Sequence, residues 1–479
     1  DELSLREGAR ANNGKLRKNK SFNTYTMVHI FDQLAGARIT GPQRPGIRNI
    51  QFNSRKVEPG DLFVAVRGTQ VDGHDYMADA VAQGAVAVVC ETLPAGDLNP
   101  EVSYVLVDDS AAALAQLAAA YYGHPSDRLR LVGVTGTNGK TTIATLLYDL
   151  FTALGHRCGL ISTVVYRVAE ERIESTHTTP DPLTLNRLMA EMVEAGCDYC
   201  FMEVSSHSIV QQRIKGLTFT GGIFTNITHD HLDYHKTFAE YIRAKQAFFT
   251  ALPAEAFALT NIDDRNGEVM LQNSSVRRRV SYSLRNVADY HGRIVEEHLD
   301  GMQIEMNGRE LWVQFIGRFN AYNLTAIYGA AMELGQESAE VLRLLSTRSF
   351  RTASGGGRAI GHCGLCPYAG CVAECDRYGE RVAARRGAAD YGGGLRRESR
   401  CHETTGDGSC GGRWVVAGDS DVGQPAVRRA SSHLGRDAGW ARCGSTGSDA
   451  DHCRSSRGDP YGSGFGPAGG YYPGRRQRA

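Results

Sequence analysis

The 479-residue chain lacks a charge excess of either sign, since 53 Lys and Arg balance 53 Asp and Glu. Nothing in that balance favours nucleic acid or an anionic membrane surface as a partner. No apolar run approaches the roughly 18 residues of a membrane span. No apolar signal segment is recognisable either, so the expectation is a cytoplasmic protein without membrane insertion. Cysteine is scarce in the part with clear periodicity. Only Cys90, Cys158, Cys197 and Cys200 precede residue 351, and the other eight follow it. Cys197 and Cys200 fall in an expected strand with no matching pair elsewhere, which favours buried thiols over a disulfide or a zinc site.

What is present is organised around Val132-Gly-Val-Thr-Gly-Thr-Asn-Gly-Lys-Thr-Thr142. Leu129 to Val134 is a short branched run that reads as a buried strand. Beyond Lys140, the apolar residues Ile143, Leu146, Leu147, Leu150, Phe151 and Leu154 fall at helical spacing, and Gly155 is a natural stop. Between strand and helix, Gly136, Thr137, Asn138, Gly139, Lys140, Thr141 and Thr142 form a phosphate-binding loop. Its glycines permit the sharp turn, its N–H groups and helix N-terminus hold phosphates, Lys140 meets their charge, and the Thr141 hydroxyl reaches Mg²⁺. The strict G-x-x-x-x-G-K-[ST] pattern breaks at Val134, where its first Gly would stand. The flanking strand and helix outweigh that break and point to an ATP or GTP site.

The length allows about three domains. Residues 1–26 are polar, basic and aperiodic and read as a disordered leader, with Met27 as the expected start. Residues 27–128 read as a small α/β domain with strands at Asp61–Val66, Ala85–Cys90 and Ser103–Val107. A helix capped by Asp109 or Ser110 follows and runs to Tyr122. Residues 129–345 alternate strands and helices, the pattern of a doubly wound, mainly parallel sheet. Ligands in such sheets sit at the carboxyl ends of strands. The strand ending Phe201-Met-Glu203 and the strand Gly222–Ile227, followed by Asp230-His-Leu-Asp-Tyr-His235, bring Glu203 and His231 toward the loop, where both suit a divalent cation.

Lys245 lies on the apolar face of a helix capped by Thr237, with Phe238, Tyr241, Ile242, Phe248 and Phe249. Two readings are open: a lysine that snorkels its ammonium to the surface, or one held in a partly dry site with a lowered pKa and a chemically available amine.

Five segments in this order and spacing resemble one family. They are Gly136-Thr-Asn-Gly-Lys-Thr-Thr142, Glu203-Val-Ser-Ser-His207, Asp230-His-Leu-Asp-Tyr-His235, Tyr241-Ile-Arg-Ala-Lys245 and Gly317-Arg-Phe-Asn-Ala-Tyr-Asn323. Together they resemble the Mur ligases of peptidoglycan synthesis over residues 27–345, most of all the branch that adds a diamino acid to UDP-MurNAc-L-Ala-D-Glu. The resemblance implies a monomeric ATP-dependent amide ligase working through an acyl phosphate, with meso-diaminopimelate ahead of L-lysine as the added amino acid. It implies Mg²⁺ held by Thr141, Glu203, His231 and a carbamate on Lys245. It implies Asn261, Asp264, Asn320 and Asn323 on the adenine side. Ser54, Thr69, Gln70, Thr178, Thr179, Ser205, Gln211 and Arg213 would take the UDP-sugar peptide. Without it, Thr178-Thr179-Pro180 reads as an ordinary extended loop. A related amide ligase such as folylpolyglutamate synthetase, and a non-catalytic nucleotide-binding fragment, are the competing readings.

The family resemblance also implies a third, Rossmann-like domain, and here the sequence departs from it. Residues 351–479 hold 28 Gly and 19 Arg, no Lys and a single Ile, Ile360. Such a stretch cannot bury enough apolar surface to offset chain entropy. His362 to Cys371 can be encoded so that a one-base shift reads Ile-Val-Ala-Tyr-Ala-His-Thr-Pro-Asp-Ala, similar to the opening of the family's third domain. The tail, residues 346–479, is therefore expected to be a disordered, out-of-frame version of that domain. A zinc site at Cys363-x-x-Cys366 is the competing reading.

Overall fold

The computed structural model describes residues 29–68, 71–228, 237–298 and 300–347, together with the backbone of two five-residue strands, Leu395–Ser399 and Gly412–Val416. The expected leader and nearly all of the expected disordered tail lie outside the described residues. Those two strands pair antiparallel with each other. All the described residues fall within the first of two compact units, which divide between Asp419 and Ser420.

The first sheet is built from β1 (Arg38–Thr40), β2 (Ile50–Gln51), β3 (Leu62–Val64), β4 (Ala87–Cys90) and β5 (Ser103–Leu106), in the order β1-β5-β4-β3-β2. Only β1 runs antiparallel to its neighbour. Alternate side chains enter two cores, as a strand's period of two requires. Leu62, Val64, Ala87, Val89 and Val105 meet helix Ser110–Tyr121 on one face. Phe63, Val88, Cys90 and Tyr104 meet Met77 and Ala80 on the other. Asp109 caps the Ser110 helix through the Ala112 N–H, as expected. The expected strands are shorter by one to three residues at their ends, although the Val86 N–H still donates to Asp61 O and the Ala65 N–H to Val89 O.

The second sheet continues with β6 (Arg130–Thr135), β7 (Cys158–Ile161), β8 (Val165–Val168), β9 (Glu171–Glu174), β10 (Tyr199–Glu203), β11 (Gly221–Phe224), β12 (Phe257–Asn261), β13 (Arg278–Ser283), β14 (Tyr290–His298), β15 (Gly301–Met306) and β16 (Arg309–Val313). Their order is β16-β15-β14-β13-β12-β11-β6-β10-β7-β8-β9. The seven strands from β14 to β7 are parallel, and antiparallel pairs finish both ends. From β6 the chain crosses β10 to reach β7, and from β10 it crosses back over β6 to reach β11. The strand order therefore reverses at β6, and the residues after it open into the crevice where such sheets bind ligands.

Helices cover both faces. On one, Val132, Val134, Phe201, Ile223 and Leu259 pack under helices Lys140–Ala153, Arg318–Glu333 and Ser338–Leu345. On the other, Leu131, Cys200, Met202 and Phe224 pack under helices Pro182–Glu194 and Phe238–Thr250. The four cysteines of this part are buried and free. Burial pushes the Cys90 thiol up to about 11 and Cys158 to about 12, leaving little reactive thiolate. Cys197 departs from the expected strand: β10 begins at Tyr199, because Cys197 N–H closes the turn after the preceding helix by donating to Met192 O. Among the described residues, no helix is long and apolar enough to cross a membrane.

Gly133 is where β6 meets the second face most closely. A Cβ there would stand 2.7 Å from Phe248 and 2.9 Å from Phe219 and Val204. Gly133→Ala is expected to overpack this layer and cost about 1–3 kcal/mol, read as a lower unfolding midpoint. An unchanged midpoint would show that Phe248 and Phe219 move aside freely.

Candidate active site

A cleft of about 380 Å³ opens at the carboxyl ends of β6 and β10. Gly136 to Thr142 form its floor, and Thr163, Thr178, Thr179, Glu203, Ser205, His207, Arg213, Tyr241 and Lys245 complete it. The loop turns at Gly136 and Gly139, whose φ of 152° and 88° favour glycine. A Cβ on Gly136 would also collide with the Thr225 hydroxyl, and one on Gly139 would stand 2.7 Å from Asn323 Oδ1. From Lys140 the helix runs to Ala153, with Ile143, Leu146, Leu147, Leu150 and Phe151 all buried as their spacing requires.

Two lysines converge on this loop. Lys140 Nζ donates to Gly136 O at 3.0 Å and to Thr137 O at 2.8 Å. Lys245 Nζ donates to the same Gly136 carbonyl at 2.8 Å and lies 4.6 Å from the Tyr241 ring centroid, a cation–π distance. Lys245 is only 1% exposed. The snorkelling alternative is thereby excluded: the helix capped by Thr237 turns this lysine inward, where the loop carbonyl and the tyrosine ring receive it. Tyr241 also reaches the loop through its hydroxyl, 3.2 Å from Thr137 Oγ1.

Glu203 ends β10 level with Val134 and is 1% exposed. Its Oε1 accepts the Thr163 N–H at 2.7 Å, whereas Oε2 has no hydrogen-bond partner among the described residues. Burial raises its pKa above the ordinary 4.5; the Lys140 charge, the Thr163 N–H and the nearby Thr141 hydroxyl act the other way. Thr141 does so without meeting hydrogen-bond geometry at Oε2. A buried carboxylate oxygen without a donor is costly unless something cationic completes it. Glu203, Thr141 and the position of Lys245 are thus suited to a divalent cation, although no group of three His, Cys, Asp or Glu side chains among the described residues forms a ready cage. His231, and with it the Asp230–His235 segment, lies outside the described residues, as do Thr69 and Gln70.

The remaining expected site residues divide. Thr178 and Thr179 are no ordinary extended loop. Thr178 Oγ1 accepts from Thr163 Oγ1 at 3.0 Å, and Thr179, 1% exposed, donates to Glu203 O at 2.8 Å. Arg213 donates to Thr179 O at 2.8 Å and grips Gln211 Oε1 through Nε and Nη2 at 2.9 and 2.6 Å, so Gln211 orients Arg213 from outside the cleft. Ser205 caps the helix Ser206–Val210 at the cleft wall. Ser54 sits in the turn after β2 and does not line this cleft. Asn261, Asp264, Asn320 and Asn323 do not line it either. Asn261 Nδ2 donates to Thr225 O, Asp264 Oδ2 accepts the Ile227 N–H, and Asn320 Nδ2 donates to Ile316 O. Sequence reasoning missed Thr163, Thr225, Asn226 and Tyr241. The position of Asn226 near the carboxyl end of an expected strand was the one signal available for it.

A buried carboxylate with a raised pKa makes the folded state bind the extra proton, so its contribution to stability falls as pH rises above 4.5. In metal-free buffer, Glu203→Gln is therefore expected to melt a few degrees above the parent at about pH 8, the gap closing toward about pH 4. A variant that melts lower at the alkaline end would show that the bonds of the carboxylate outweigh its burial.

Comparison with known proteins agrees with this geometry. A family model described as the Mur ligase middle domain matches residues 134–331, and one described as the Mur ligase family catalytic domain matches residues 46–122. The UDP-N-acetylmuramoyl-L-alanyl-D-glutamate–2,6-diaminopimelate ligase of Parabacteroides distasonis is 57% identical over 326 residues, which is 68% of this chain and 66% of that protein. The ligase of the same name from Bacteroides fragilis is 54% identical over 321 residues, 67% of this chain and 66% of that protein. The chain thus covers 66% of the length of these relatives. A solved structure of a protein of that name superposes with a TM-score of 0.56 at 26% identity, covering 65% of this chain and 64% of that one. The MurF structure from Acinetobacter baumannii, at 19% identity and a TM-score of 0.50 over 72% of this chain and 70% of its own, shares the fold. With the two family models spanning most of residues 46–331 and relatives 57% and 54% identical over 326 and 321 residues, the chain belongs to the Mur ligase family.

Proposed function

We infer that the chain is the nucleotide- and UDP-sugar-binding part of an ATP-dependent amide ligase. The reaction is addition of a diamino acid, meso-diaminopimelate by analogy with the named relatives, to UDP-MurNAc-L-Ala-D-Glu. One observation carries this reading: the buried Oε2 of Glu203, without a hydrogen-bond partner among the described residues, shares a cleft with the phosphate loop, Lys140, Arg213 and Lys245. That combination suits a polyphosphate and a carboxylate substrate meeting at a divalent cation.

In this reading residues 27–128 take the UDP-sugar end, through Ser54, Thr69 and Gln70, and residues 129–345 carry out the chemistry. Thr178, Thr179, Ser205 and Arg213, oriented by Gln211, hold the peptide and aim the D-Glu carboxylate at the γ-phosphate. Asn261, Asp264, Asn320 and Asn323 form the adenine side. Glu203 and Thr141 would hold Mg²⁺ with His231 and a carbamate on Lys245, and the bound ion supplies positive charge to the phosphoryl oxygens. The carbamate is supported by the crowding of two ammonium groups, Lys140 and Lys245, on one carbonyl. Carbamylation turns one of those neighbouring cations into an anion. Phosphoryl transfer to the D-Glu carboxylate gives an acyl phosphate, the amine of the diamino acid attacks its carbonyl, and phosphate leaves. Lys140 spreads charge on the transferring group, and positioning supplies most of the acceleration.

The tail bears on turnover. Both family models end at or before residue 331. The composition of residues 351–479, with 28 Gly, 19 Arg and no Lys, supports reading residues 346–479 as the out-of-frame counterpart of the amino-acid-binding domain, a reading that sequencing the coding DNA around codons 345–360 decides.

The test is ATP-dependent phosphate release requiring both UDP-MurNAc-L-Ala-D-Glu and diaminopimelate, in this chain and in a frame-corrected one. Release that ignores either substrate would end the ligase reading. In the corrected chain, Lys140→Ala is expected to lose at least about a hundredfold in rate with an unchanged circular dichroism spectrum; an unfolded variant would instead give Lys140 a structural role. Lys245→Ala is expected to lose turnover and regain part of it with added short-chain carboxylates, and full activity without them would remove the carbamate from the proposal.

A further inference from the structure

Strand β11 ends at Phe224, level with Thr135, and the next residues leave the sheet to grip the phosphate loop from behind. Thr225 Oγ1 donates to Asn138 O at 2.6 Å. Asn226 Nδ2 donates to the same carbonyl at 3.2 Å, while Asn226 Oδ1 accepts the Asn138 N–H at 3.0 Å. The Thr137 N–H donates to the main-chain oxygen of Asn226 at 2.8 Å. One planar amide thus holds both the N–H and the C=O of a single loop residue. Its orientation follows from the partners, because a flipped amide would set donor against donor and acceptor against acceptor. Aspartate would lose the donor and alanine both bonds.

The far side of this strap is pinned as well. Asn261 Nδ2 donates to Thr225 O at 2.8 Å, and the Ile227 N–H donates to Asp264 Oδ2 at 2.9 Å. The consequence concerns which donors remain for a ligand. The N–H groups of Thr137 and Asn138 are committed to Asn226, so anion binding falls to Lys140 and to the first turn of helix Lys140–Ala153, whose N–H groups have no intrahelical acceptor. A loop with glycine at both bends would otherwise sample many shapes, and ordering it on binding would weaken affinity.

We propose that Asn226 is a positioning residue that fixes the shape of the phosphate loop before nucleotide arrives, so that affinity for the β-phosphate depends on it. This rests on the nucleotide-site reading above. The strap joins the Asn261–Asp264 turn to the phosphate loop, and its own side-chain bonds go to Asn138 of that loop.

The experiment is calorimetric titration of the full chain and its variants with ADP and with AMP in the presence of Mg²⁺, alongside unliganded melting. Asn226→Ala is expected to weaken ADP by about tenfold, the worth of roughly one net hydrogen bond to a loop that must then be ordered, and AMP by less than about threefold. Thr225→Val, which removes one bond at nearly constant volume, should show the same preference for AMP over ADP in smaller measure, and decides the matter if Asn226→Ala does not fold. Equal losses for ADP and AMP would assign Asn226 a general structural role, and an ADP affinity unchanged within about twofold would remove the positioning role; either outcome overturns the inference. If the parent binds ADP and Lys140→Ala weakens it while Asn226→Ala does not, only this inference falls. A parent that binds no ADP overturns the nucleotide reading and this one together.

Discussion

The carbonyl of Gly136 is the point on which the site converges. It lies just past the end of β6, where the strand order reverses, and it receives the ammonium groups of both Lys140 and Lys245. Two cations tolerate such proximity only where a strong acceptor lies between them and the chain holds all three in place. The turn at Gly136 sets the direction of that carbonyl, and the Thr225 hydroxyl fills the space a side chain would need. Loop shape, lysine placement and the packing of two helices are therefore one constraint seen from three sides.

From that point the site extends along two strands. β10 delivers Glu203 with one oxygen satisfied by Thr163 and the other without a partner among the described residues, and burial raises the cost of leaving it so. β11 delivers the strap of Thr225 and Asn226 that holds the loop from the opposite side. The cations are supplied by helices: Lys140 by the helix that starts at the loop, Lys245 by one packed beneath it. The carboxylate and the strap follow strands in register with β6, and the lysines come from helices packed on that sheet, so regular elements set their spacing.

The elements of the fold were legible wherever a local rule applied. The helix after the loop starts at Lys140 and ends before Gly155, and the Asp109 and Thr237 caps stand where short polar side chains precede apolar periodicity. Strand edges were less so: Cys197, Asp61 and Ile227 read as strand but lie outside one, because a ladder ends where its partner ends, and the partner is distant in sequence. The cleft was legible at Lys140, Thr141 and Glu203, whose residue types carry chemistry, and at Arg213 only through the family resemblance. Thr163 and Asn226 were not, since a threonine or asparagine after a strand is common and acquires meaning only from the group across from it.

By itself the sequence determined the phosphate loop, its strand and helix, the alternation that demands a doubly wound sheet, and the break in composition near residue 346. Each depends on neighbours a few residues away. Tertiary structure alone decided that Lys245 is buried against Gly136 and Tyr241 and does not snorkel to solvent, that one oxygen of Glu203 finds no partner among the described residues, and that Gln211 acts on Arg213 from outside the cleft. The reason is physical. A lysine on an apolar helix face has the same periodicity whether it reaches water or an interior carbonyl. Only the packing of that helix against β6, more than one hundred residues earlier, settles which solvent the ammonium meets.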